Sequence, residues 1–171
     1  NLYHLHLKSD SVDIAENIHW LEEALRADFN NPLNALCPIR DKLEWEKYRY
    51  LFTMHLDLKL VELYLQWGSQ FNKQEAYFFN APWQQLNIES LDKAEKLFRY
   101  ALVYWEEARQ WSKKANDPRF RWIELPGIQA FADESFRIDS GDLDYQEIIN
   151  KHLGKLATVR QTFKNMDKTT Y

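Results

Sequence analysis

The stretch DKLEWEKYRYLFTMHLDLKLVELYLQWGSQFNK, residues 41–73, decides the fold of this chain. It holds no proline and no glycine before Gly68, so nothing interrupts a helix over its length. Trp45, Tyr48, Phe52, Leu56, Leu60, Leu63 and Trp67 recur at helical spacing as one apolar stripe. Tyr50, Met54, Leu58, Val61 and Leu65 form a second stripe, roughly opposite the first. A helix apolar on two faces must be covered on both, so the pattern predicts the middle member of a helical stack.

Helices are predicted on either side of it. Residues 11–29 read as a first helix, with Ser11 able to cap it and Asp13 and Glu16 suited to its positive end. Its apolar stripe is Ile14, Ile18, Leu21 and Leu25, and Asn30-Asn31-Pro32 stops it. Residues 32–40 then form an irregular connection. Beyond the central helix, residues 76–87 combine rings with Asn80 and Pro82 and read as a long loop, or a helix end followed by a loop. A third helix is expected from near Ser90 to Ala115, with Leu91, Ala94, Phe98, Ala101, Trp105, Ala108 and Ser112 alternating 3-4-3-4. Residues 119–139 hold at most a short helix around 127–137. A last helix, about 142–167, follows Gly141, and its narrow seam of Tyr145, Ile149, His152, Leu156, Val159, Phe163 and Met166 suits a single neighbour. No strand-like alternation competes. The expectation is one all-α domain over residues 1–171, with a core at about 11–116, built of antiparallel helix hairpins.

The 171-residue length suits a single core of that kind. Four Gly and five Pro leave few tight turns, while seven Trp exceed what a plain bundle needs; those rings either fill gaps between helices or serve as surface anchors for a partner. The net charge of −4 argues against a nucleic-acid module. The charge is uneven: residues 1–30 carry two basic against six acidic side chains, and residues 140–171 carry five basic against four acidic. That polarity could orient head-to-tail association, although solvated helix faces account for it equally. The lone Cys37 excludes an internal disulfide. No apolar run approaches the ~20 residues of a membrane span. The opening Asn1-Leu2-Tyr3-His4 begins in mid-pattern and reads as a processed or trimmed end.

Two half-motifs carry a resemblance. Tyr64-x2-Trp67-Gly68-x2-Phe71 and Ala94-x3-Phe98-x2-Ala101 pair small residues with rings, so that two helices approach closely and a ring fills the space opposite. In this the chain resembles tetratricopeptide repeat proteins, with Leu21 to Asn31 similar to the end of a preceding repeat. The half-motifs lie further apart than a regular unit of about 34 residues allows, and Asn17 stands where a small residue is expected. The resemblance implies a degenerate repeat array; a four- to five-helix bundle is the alternative. Asn30 to Leu36, Tyr77 to Trp83 and Tyr104 to Ala108 are also similar to the helical periplasmic coiling and collar proteins of spirochaete flagella. That resemblance implies a periplasmic structural component without a cofactor, assembling with other flagellar proteins.

The chemistry-bearing residues are sparse. Glu16-x2-His19 is half of a di-metal carboxylate motif, but no second pair accompanies it. His4-x-His6 lacks a third ligand, His55 and His152 border apolar stripes, and Cys37 has no activating base beside it in sequence. Lys113, Lys114, Arg119 and Arg121 are interleaved with Trp111, Phe120 and Trp122, which suits ordinary surface, an acidic protein partner or stacked bases. The sequence therefore points to a non-enzymatic protein-interaction or assembly module with no metal or cofactor. Tyr77, Phe78, Phe79, Trp83 and Trp122 are its candidate binding residues, and its partner is another protein or a second copy. The rival is a small-ligand-binding or catalytic bundle whose aromatic loop covers a pocket.

Overall fold

A computed structural model describes residues 11–27, 30–72 and 81–165. Among these the chain forms five α-helices and no strand: α1 (Ser11–Arg26), α2 (Lys42–Phe71), α3 (Ala81–Ala115), α4 (Gln129–Ser140) and α5 (Tyr145–Asn165). Short 3-10 turns at Pro32–Asn34 and Pro118–Phe120 punctuate the connections. Asn31 and Asp117 cap these turns, each accepting a hydrogen bond at 3.0 Å from a backbone N–H two residues on. Proline follows each cap directly, where a missing N–H costs nothing.

The long central helix is α2. Asp41 caps it by accepting from the Glu44 N–H at 2.9 Å. Both of its apolar stripes are covered: α3 shares the largest interface with it, and α1 and α4 pack elsewhere on it. The facing stripe of α3, Leu91, Ala94, Phe98, Ala101, Trp105 and Ala108, is almost wholly buried. Gly68 makes that approach possible. A methyl group there would lie 2.6 Å from Cε1 of Phe98, so the ring of one half-motif rests on the glycine of the other.

The third helix is longer than the sequence suggests. It begins at Ala81, not near Ser90, and so takes in Pro82 and residues 83–87, which read as loop. Proline is compatible with a first turn because the N–H it lacks would have no intrahelical partner there. The fourth helix runs to Ser140, where Gly141 closes it at φ 83°, a left-handed conformation suited to glycine. The narrow seam of α5 meets α3, a neighbour within the chain. Arg160 secures it with ion pairs at 2.9 Å to both Asp92 and Glu95.

Polar junctions fix the helices laterally. One carboxylate oxygen of Glu22 on α1 accepts from the hydroxyls of Tyr64 on α2 and Tyr104 on α3, each at 2.8 Å. Between α3 and α4, the hydroxyl of buried Ser112 lies 2.9 Å from that of buried Ser135, and Asn116 donates to Asp139. The His55 ring on α2 stacks on Phe131 of α4 with centroids 4.0 Å apart, and its Nδ1 lies 2.8 Å from Glu134.

Candidate functional site

One face of α2 loses its cover toward the N-terminal end. Lys42, Glu46, Arg49, Thr53, Leu60 and Tyr64 follow a single helical stripe. Glu22 bonds Tyr64, which places α1 over the C-terminal half of the helix. Over the N-terminal half the stripe opens into a cleft of about 470 Å³, walled by Trp45, Tyr50 and Trp111 and edged by Lys42, Arg49 and Arg119. A volume of that order accommodates a large side chain with its neighbours.

The walls are held from behind. Tyr50 lies against Trp111 at 5.6 Å between centroids and edge-on to buried Phe120 at 6.0 Å. Lys47 donates from Nζ to the carbonyls of Ile123 at 2.6 Å and Phe120 at 3.3 Å, which clamps the 118–123 turn to α2 and positions Arg119. Burial pushes the pKa of that ammonium down. Lys114 sits 4.2 Å from the centre of the Trp111 ring, so one cation already lies against the aromatic wall.

Three cations face one carboxylate in this cleft, and the carboxylate is engaged. Glu46 accepts from the Tyr50 hydroxyl at 3.0 Å and from Arg119 at 2.7 Å. These two partners, the tyrosine first, hold its pKa below the usual range. Thr53 donates its hydroxyl to the Arg49 carbonyl at 2.8 Å. The net result is a positively charged recess with aromatic sides, suited to an aromatic side chain flanked by carboxylates.

Of the candidate residues read from sequence, the described residues include Trp122 and the backbone of Trp83. Trp122 is 86% exposed, with the Arg121 guanidinium 5.2 Å over its ring, and it lies outside the cleft lining. The Trp83 backbone falls in the first turn of α3. Tyr77, Phe78, Phe79, His4 and His6 lie outside the described residues. Of the basic cluster, Arg119 enters the cleft with Trp111, and Lys114 covers Trp111. Glu16 and His19 occupy the exposed side of α1. His152 stacks on Phe98 at 4.7 Å, and burial followed by the Lys155 charge lowers its pKa. Cys37 is buried, which raises the pKa of its thiol, with Glu44 adding to the effect.

Sequence reasoning missed Lys42, Trp45 and Arg49 as site residues. Their signal was legible as basic and aromatic side chains at i, i+3 and i+7 on one helix face. The periodicity places Trp45 on the core stripe, whereas it is half-buried and shares its ring between core and cleft. Buried Asp57 was missed as well. It is 0% exposed, and neither carboxyl oxygen has a hydrogen-bond partner among the described residues.

Residues 43–166 match the family model described as a domain of unknown function, DUF8513, so the chain belongs to that family. The match spans α2 to α5 and leaves α1 outside it. No curated protein and no solved structure matches the chain. Among the described residues, no helix is long and apolar enough to cross a membrane.

Proposed function

We propose that this member of the DUF8513 family is a non-catalytic protein-interaction module, and that its cleft docks an acidic segment bearing an aromatic side chain. The observation that carries the reading is the pairing of three ring walls with Lys42, Arg49 and Arg119 in one open recess. Aromatic and arginine side chains in a partly desolvated pocket are the groups that dominate protein interfaces. Binding is favoured over catalysis because the carboxylate of the cleft, Glu46, is tied to Tyr50 and Arg119 and held ionised, which makes it a weak base. A structural, periplasmic setting for such docking is what the sequence resemblance to flagellar coiling and collar proteins implies, and it is proposed on that ground alone.

The test is a titration with a synthetic helical peptide carrying one Trp flanked by Glu residues at i±3 and i±4, followed through indole resonances. The expected dissociation constant is about 1–100 μM, weakened at least ~10-fold by Arg49→Glu, because a like charge replaces an attractive one. Absence of binding at roughly millimolar peptide, with the fold intact, refutes the reading.

A further inference from the structure

We propose that the occupant of the cleft is α1 of a second copy of this chain, so that the protein assembles head to tail; this rests on the docking role assigned to the cleft above. The outward face of α1 is the complement of the recess. Asp13, Glu16, Trp20 and Glu23 follow one another at spacings of 3, 4 and 3, which aligns them along one side of the helix, and all four are exposed. Glu22, by contrast, turns inward to the two tyrosines. Trp20 lies in the middle of the acidic stripe and is 62% exposed, so its indole is available to a partner. The edge contact with His19, at 5.2 Å between centroids, limits the orientations of its ring. Among the described residues of α1, Arg26, paired with Glu23 at 2.5 Å, is the one arginine or lysine that offsets the three carboxylates.

Charge and shape therefore match in kind. An acidic helix face with a central indole meets a basic recess with three aromatic walls. The acidic excess of residues 1–30 is thereby given a structural counterpart. The two surfaces also coexist on one molecule. The own α1 is anchored at Tyr64, and Thr53 at the near edge of the cleft lies eleven residues upstream on α2, or about 16 Å at 1.5 Å per residue. A second α1 in the cleft would extend along α2 the layer that the first α1 begins. Because the contacting patches differ, the contact is heterologous and each added copy leaves one knob and one cleft free, which gives open chains or a ring.

The decisive experiment uses two surface variants of the full chain in sedimentation velocity, with circular dichroism confirming that each is folded. Trp20→Ala keeps the cleft and loses the knob; Lys42→Glu with Arg49→Glu keeps the knob and inverts the cleft. The wild-type chain is expected to form oligomers that grow with concentration up to roughly 200 μM and weaken about 10-fold or more from low to high salt. Each variant alone is expected to be monomeric. Mixed in equal amounts, they are expected to form a two-chain species and stop there, since one intact knob and one intact cleft remain. A monomeric wild type at low salt, assembly by Trp20→Ala alone, or a mixture that stays monomeric overturns the proposal. If the wild type is monomeric yet the Trp-bearing acidic peptide still binds, only the identification of the second copy falls; if neither associates, the docking role falls with it.

Discussion

Asp57 offers the sharpest measurement on this fold. Its carboxyl is 0% exposed in the middle of α2, neither oxygen has a hydrogen-bond partner among the described residues, and Tyr104 and Glu107 of α3 lie close enough to sense its charge. Burial, with the Glu107 charge adding to it, pushes its pKa from 3.8 up to about 8. The folded protein thus holds a proton that the unfolded chain releases near pH 4. Stability with respect to this group is complete below that pH and is lost as the pH climbs toward 8, because between the two the native state binds the extra proton. At about 1.4 kcal/mol per pH unit the loss reaches about 4 kcal/mol at pH 7 and about 6 kcal/mol above pH 8. Asp57→Asn keeps the shape and cannot titrate. An amide without partners retains its own burial cost, so the slope carries the test and the offset does not. Urea unfolding of both proteins at intervals from pH 5 to pH 8 is expected to show the variant gaining on the wild type by about 1 kcal/mol or more per pH unit. Asp57→Leu, which removes the polar group, is expected to exceed the wild type by about 1–4 kcal/mol at pH 7. Parallel curves for Asp57→Asn and the wild type, within about 0.5 kcal/mol over that range, would mean that the carboxyl is ionised in the native state and the reasoning is wrong.

Gly68→Ala is expected to destabilise by up to about 2 kcal/mol, since crowding Phe98 costs about 1–3 kcal/mol and better helix propensity returns about 1; a more stable variant would show that α2 and α3 can separate freely, and denaturant unfolding decides it. Burial raises Tyr64 and Tyr104 further with help from Glu22, and burial together with Glu62 pushes Tyr145 up to about 12. Stability from these phenols is therefore full below about pH 10, their unfolded value, and is lost above it. Absorbance near ~295 nm is expected to show a delayed, cooperative ionisation that coincides with unfolding; a gradual rise of all nine tyrosines about pH 10 would contradict it.

The periodicity of residues 41–73 was enough to establish an all-α fold with α2 between neighbours, because burying two opposite faces of one long helix leaves no other arrangement. That small residues and rings bring two helices close was likewise legible in the half-motifs, while the particular contact of Phe98 with Gly68 came from the tertiary structure. The start of α3 was not, because Pro82 disfavours a helix interior yet tolerates a first turn, and local sequence does not distinguish the two. Nothing in the sequence around Asp57 marks it as buried; tertiary packing, with Glu107 of α3 close by, removed its water. The cleft depended on tertiary structure most of all. Trp45 and Arg49 stand 66 and 62 positions before Trp111, and where α1 stops covering α2 is set by the length and docking of α1, anchored through Glu22. Helical periodicity records which side of a helix is apolar. Which part of that side remains uncovered is fixed by the neighbours that pack on it.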